Sequence, residues 1–136
     1  MAETLKLEIV TPDATAYSED VHMVTLPAVE GQIGIYPHHV PLMTRILPGE
    51  IIVRKSGHED FIAVGEGLVE ITNRRVAIVT DMAVAAADID EARAEEARQR
   101  AAARLLDKIS DAEVATVNGA LARSLAQLRV KRHRRV

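Results

Sequence analysis

Apolar and polar residues alternate at the start of the chain, where Leu5, Leu7 and Ile9 are separated by Lys6 and Glu8. A period of two is the pattern of a half-buried strand, and Pro12 ends it. Val21, Met23, Val24 and Leu26 predict another strand before Pro27. Residues 50–54 lead through Lys55, Ser56 and Gly57 into 60–64, and 68–71 and 76–79 flank 72–75. Both arrangements predict hairpins, the second with Asn73 in its turn. Short strands at this turn-rich spacing predict a small β-sandwich over residues 1–87. With one Phe and no Trp, its core is expected to consist of Val, Ile, Leu and Met.

At Asp88 the apolar period lengthens to three and four. Asp88 with Glu91, and Ser110 with Glu113, fit capping boxes. They predict helices over about 89–108 and 111–130, joined by a tight turn, so that residues 88–136 form an antiparallel hairpin. The first stripe is Ile89, Ala92, Ala97, Ala101, Leu105 and Ile109; the second is Val114, Val117, Leu121, Leu125 and Leu128. Alanine buries little area, at about 25 cal/mol per Å2, so the hairpin is expected to be marginal. Asn118-Gly119 is either a weak joint in the second helix or a surface irregularity, since glycine costs about 1 kcal/mol against alanine there. The fold class read from the pattern is mainly β plus α, a sandwich followed by a helical hairpin.

Between these parts, residues 30–49 hold three of the seven glycines and three of the five prolines. Gly31 and Gly34 admit backbone angles closed to other residues, and Pro37, Pro41 and Pro48 each remove a donor. The apolar pieces around Ile33, Ile35, Val40, Leu42 and Met43 are too short for helices. Such a stretch packs short strands at sharp corners.

Composition narrows the chemistry. At 136 residues the chain is expected to be one domain or a small domain with an appendage. It has no cysteine, which excludes disulfides and thiolate metal sites. Met1-Ala-Glu-Thr lacks the look of a signal peptide, and the longest apolar run, 82–87, is far short of the roughly 20 residues that cross a bilayer. Membrane association is therefore expected only through partners. The charge is unevenly spread: residues 81–113 carry nine acids against five bases, whereas 114–136 carry six bases and no acid. An acidic body with the basic tip Arg123, Arg129, Lys131, Arg132, Arg134 and Arg135 implies an acidic partner. No catalytic residues emerge. There is no G-x-S-x-G, and Gly65-Glu-Gly67 lacks the lysine and length of a P-loop. The histidines His22, His38, His39 and His58 show no metal-ligand spacing, so no metal is expected.

Four motifs resemble a known family in its own order. The run from Glu30 to Gly49, E-G-x-I-G-I-Y-P-x-H-x-P-L-x-T-x-x-x-P-G, resembles the epsilon chain of bacterial F-type ATP synthases. Residues 57–61 with 64–70, then 88–94, and finally 126–130 continue the resemblance over nearly the whole chain. It implies a non-catalytic rotor subunit that couples proton transport to ATP synthesis from the cytoplasmic face of the bacterial plasma membrane. The sandwich would bind the gamma subunit and the c-ring loops, with Glu30, Gly31, Gln32 and His39 as contacts. His38 stands where the family usually has glycine. The terminal helix would rise in an extended state to meet catalytic beta (and alpha) subunits and inhibit ATP hydrolysis.

Ile89, Asp90, Arg93 and Ala94 match the family's nucleotide motif, I/L-D-x-x-R-A, and Arg123 matches an arginine that completes such sites. No cofactor is required, but ATP is a candidate regulatory ligand. An aspartate accepts from an adenine amino group and an arginine forks onto phosphate. Asp90 and Arg93, three residues apart, equally suit a plain helical ion pair. Gln127 replaces an expected second arginine and Val84 an acidic residue, departures that point to weak binding. The basic tip reads as a docking element, although a solvated tail fits its composition too; without interleaved aromatics it is a poor nucleic-acid patch, and with two valines a poor membrane anchor. The competing class is a free-standing adaptor gripping an acidic protein or nucleic acid.

Overall fold

The computed structural model describes residues 3–133, so Arg134 and Arg135 lie outside the described residues. The strands are β1 Leu5–Val10, β2 Thr15–Val21, β3 Met23–Ala28, β4 Gly31–Ile35, β5 Leu42–Ile46, β6 Gly49–Lys55, β7 His58–Val64, β8 Gly67–Ile71, β9 Arg75–Thr80 and β10 Ala83–Ala85. A 3-10 turn over Ala86–Asp88 leads to α1, Glu91–Arg104, and α2, Asp111–His133.

Hydrogen bonding runs in the order β10-β7-β6-β3-β5-β8-β9-β1-β2, with β4 on the other side of β3. Every pairing is antiparallel except β1 with β9. β6 pairs with residues 23–25 of β3, whereas β5 meets β3 only at Ala28–Ile46. Leu47 and Pro48 turn the chain between β5 and β6, and Pro48 has no N–H with which to continue a ladder. At that corner the sheet folds over, and its two halves face each other as the expected sandwich. Leu7, Ile9, Val24, Ile51, Val53 and Ile78 are among the side chains that fill one aliphatic core between them. The alternation seen at Leu5, Leu7 and Ile9 is therefore the inward face of β1.

Both predicted hairpins form. Lys55 pairs with His58 around Ser56 and Gly57, whose φ of 79° is the left-handed conformation that glycine tolerates. Thr72 N donates to Arg75 O at 2.8 Å across Asn73 and Arg74. β2 was not expected, because its sequence TAYSEDV buries only Val21 fully. It is an edge strand held by its register on β1, from Leu5–Val21 to Ile9–Tyr17. Tyr17 also donates its hydroxyl to Asp60 Oδ2 at 3.2 Å, tying that edge to β7. Burial, then Asp60 and Glu19, push the Tyr17 phenol pKa up.

The helices depart from expectation in three respects. Asp88 belongs to the 3-10 turn, so the cap of α1 is Asp90, whose Oδ1 accepts from Arg93 N at 3.1 Å. α1 ends at Arg104 rather than near 108, because Leu106 N turns back to Ala103 O and Asp107 N to Arg104 O. These i−3 bonds tighten the last turn and end the α-helix in a connection over 105–110, on which Leu106 stands 88% exposed. The Ser110 cap is as expected, with Glu113 N donating to Ser110 Oγ at 3.2 Å. α2 runs unbroken through Asn118 and Gly119.

The third difference is which helical faces are buried. Ala101 of α1 is buried as expected, but Ala94 is buried and Ala92 exposed, and in α2 Leu125 is 48% exposed. Leu128 is buried as expected, but Ser124, Ala126 and Val130 are buried with it. Residues two apart lie about 200° apart around a helix, so α2 is covered on opposite sides. α1 lies on one side and the sandwich on the other, which is why no single stripe marks it. On the sandwich side, Val130 packs with Ala63 and Ile89, flanked by Phe61, Met82, Val84 and Ala86. This second cluster is separate from the main core.

Candidate functional site

Where α1, α2 and β10 meet, a cleft of about 500 Å3 opens. Asp88, Asp90, Arg93, Ala94, Glu96 and Arg100 line it from α1 and its lead-in, Ser124 and Gln127 from α2, and Val84 from β10. The sequence motif thus delivers Asp90, Arg93 and Ala94 to one wall, with Gln127 and Val84 opposite. Ile89 is used differently: it is 5% exposed and anchors the second cluster. Asp90 is partly committed, since one carboxylate oxygen caps α1.

Arg123, expected to converge with Asp90 and Arg93, does not. It pairs with Asp81 at 3.2 Å and lines a different cleft of about 360 Å3 with Glu66, Asn118 and Gly119. Gly65 makes that pairing possible, because a Cβ there would stand 1.8 Å from Asp81 Oδ1. The cation that joins Arg93 in the first cleft is Arg100, which motif reading passed over. The signal was present: Arg93 and Arg100 are seven apart, two turns along one helix face. Arg100 approaches Glu96 only at 3.9 Å, both side chains over 70% exposed, and is free to turn toward a ligand. The cleft thus sets two guanidinium groups, which can fork onto an anion, beside three carboxylates.

The expected partner residues divide between the two ends of the sandwich. Glu30 and Gly31 form the β3–β4 corner, next to Leu47 and Pro48. Gly31 has φ 127°, and Thr44 Oγ1 holds the Glu30 carboxylate at 2.8 Å. Gln32 faces Arg129 and His133 of α2 across a cleft of about 470 Å3. His39 follows the far end of β4, and its Nδ1 donates to Val40 O at 2.6 Å. Its neighbour His38 keeps the glycine-like conformation, φ 70°, with its N–H on Asn73 O at 2.6 Å and its ring on Glu3. Motif reading did not find the outer face of β5, β8, β9 and β1. There Met43, Leu68, Val79 and Val10 are exposed, and the register sets Leu68, Val79 and Val10 side by side.

Within the described part of the basic tip, the cations are largely engaged. Arg132 Nε donates to Glu91 Oε1 at 2.9 Å and its Nη2 to Glu95 Oε2 at 3.3 Å. Arg98 grips the same Glu95 at 2.6 and 3.1 Å, and this contact above all holds the Glu95 carboxyl down to about 2. Lys131 Nζ donates to Ala86 O at 3.2 Å. Among the described residues, no helix is long and apolar enough to cross a membrane.

The chain is thus a two-part protein, a β-sandwich carrying a docked helical hairpin with a polar cleft between them. The family model for the ATP synthase delta/epsilon chain β-sandwich domain matches residues 4–86, and that for its long α-helix domain matches 87–132. The chain belongs to the ATP synthase delta/epsilon chain family. Among solved structures, it is similar to a chain of the Euglena gracilis mitochondrial ATP synthase. That match has a TM-score of 0.78 and 22% identity and covers 96% of this chain and 82% of that one. A chain from the Tetrahymena thermophila mitochondrial ATP synthase central stalk and c-ring matches with a TM-score of 0.63 and 14% identity. It covers 93% of this chain and 96% of that one.

Proposed function

We propose that the chain is a non-catalytic rotor subunit of a bacterial proton-translocating ATP synthase, peripheral to the plasma membrane on its cytoplasmic face. In this reading it joins gamma to the c-ring and restrains ATP hydrolysis through its helices. The carrying observation is the division of the interior: the sandwich has its own aliphatic core, and the hairpin is attached through a separate small cluster and surface pairs. A body that is stable without its appendage lets the appendage move. The apolar outer face at Met43, Leu68, Val79 and Val10 suits gamma, and the Glu30–Gly31 corner, at the end away from His39, suits the c-ring loops. His39 then belongs to the gamma side.

In the compact state α2 lies between α1 and the sandwich; in the extended state it rises toward the catalytic subunits. ATP in the cleft favours the compact state, because the walls come from α1, α2 and β10 together. The phosphates are assigned to Arg93 and Arg100, with Arg123 acting through Asp81 to hold α2 in place. At ten times its dissociation constant, ATP would add about 1.4 kcal/mol to the compact state, about a tenfold population shift.

Removing residues 89–136 should raise ATP hydrolysis by the assembled complex; unchanged hydrolysis would refute the inhibitory part. Titration with ATP, with GTP as control, should shift amide resonances at 89–94 and near Arg100. Absence of shifts at millimolar ATP would remove the nucleotide from the reading and leave the rotor role. Retention on DNA without co-purification of gamma would favour the adaptor alternative instead.

A further inference from the structure

We propose that Glu91 and Glu95 form an electrostatic clasp that holds the end of α2 in the compact state by occupying Arg132. In the extended state that same cation is freed for an acidic partner. This inference rests on the two-state reading above. The clasp lies where the hairpin is open, between the first turns of α1 and the last turn of α2, opposite the 105–110 connection. Arg132 reaches across with two donors to two carboxylates, at 2.9 and 3.3 Å. Its side chain is half exposed, so solvent and salt reach the contact. Arg98, on α1 itself, holds Glu95 ready from the other side.

Two features make this a clasp rather than a decorative ion pair. The first is its position beside the small cluster at Val130, the only fully buried residue in the last turn and a half of α2 among those described. The second is its chemistry. An arginine forked onto carboxylates one turn apart on a helix is held as an acidic helical partner would hold it. Docking to such a partner and docking to α1 are therefore exclusive for Arg132. α1 thus competes with the catalytic subunits for the same cation, and the compact state becomes less favoured as salt rises.

The test uses the full chain. In Glu91→Gln/Glu95→Gln, amide exchange at Leu128 and Val130 should quicken by about three- to tenfold, the effect of losing a multiple-contact, half-exposed pair. Exchange at β1 and β9 should be unchanged, which shows that the variant is folded. In the wild type, raising KCl should quicken the same helix amides, and in the variant this dependence should be largely lost. In the assembled complex the variant should inhibit hydrolysis more deeply, whereas Arg132→Gln should open the hairpin yet inhibit less. Unchanged exchange in Glu91→Gln/Glu95→Gln would overturn the clasp. So would quickened exchange with unaltered inhibition, in a complex where deleting residues 89–136 does raise hydrolysis. If that deletion has no effect, the two-state reading fails by itself, and exchange still decides whether the carboxylates hold α2.

Discussion

Replacing Val130 with alanine removes two methyl groups from a side chain that is fully buried against Ala63 and Ile89. At about 0.8 kcal/mol per buried carbon, plus the cavity left behind, the loss is about 2 kcal/mol. The position decides where that loss is felt. Val130 belongs to the cluster under the hairpin and not to the sandwich core, so the hairpin should come free while the strands remain. Two probes separate these events. Both tyrosines, Tyr17 and Tyr36, lie in the sandwich and the chain has no Trp, so tyrosine fluorescence follows the strands. Circular dichroism at about 222 nm is dominated by the helices. In urea, Val130→Ala should move the helical transition down by roughly 1–2 M, for a slope of about 1–2 kcal/mol per M, and leave the fluorescence transition in place. Val53→Ala, of the same size but in the main core, should move both. If Val130→Ala moves both equally, the chain unfolds as one unit and the argument for a detachable hairpin is wrong.

Asp90→Ala should cost α1 about 1 kcal/mol, because Asp90 rather than Asp88 caps it; Asp88→Ala should leave thermal stability nearly unchanged in the same melts. His38→Gly should stabilise the sandwich by up to about 1 kcal/mol, read as a higher urea midpoint, because φ is 70° there and the His38–Glu3 contact it gives up is exposed. Acid should loosen the hairpin before the sandwich. Glu95 has its pKa lowered from 4.5 to about 2, so its contribution is complete above about pH 4.5 and is lost as pH falls toward 2. Helical signal followed from pH 5 to 2 should show this loss, and Glu95→Gln should flatten it.

The period-two strands, both hairpins and the two-part layout were legible in the sequence because local pattern and burial agree there. Leu5, Leu7 and Ile9 point inward as their alternation requires. β2 was hidden because an edge strand is held by backbone pairing, which leaves no apolar signature in TAYSEDV. Leu128 of α2 was found, but Ser124, Ala126 and Val130 were missed because a helix covered on two sides does not present one stripe. Asp90, Arg93 and Ala94 line one cleft together, since they share a short helical segment. Arg123 does not join them, because its direction is set by Asp81 and Gly65, more than forty residues away in sequence. Long-range pairing of that kind has no local sign.

The parallel pairing of β1 with β9 orders events during synthesis. β1 lies between β2 and β9, and it cannot complete its ladder until Arg75–Thr80 has been delivered. Closure of the sandwich must therefore wait for more than half of the chain. Residues 81–136 still follow, at about 5–20 residues per second, over roughly 3–11 s. The helices consequently emerge onto a sandwich that is already able to close, and their first available acceptor is their own body. A newly made chain would thus carry its hairpin already folded down, and in the proposed rotor role any restraint by the extended helix would follow only after incorporation.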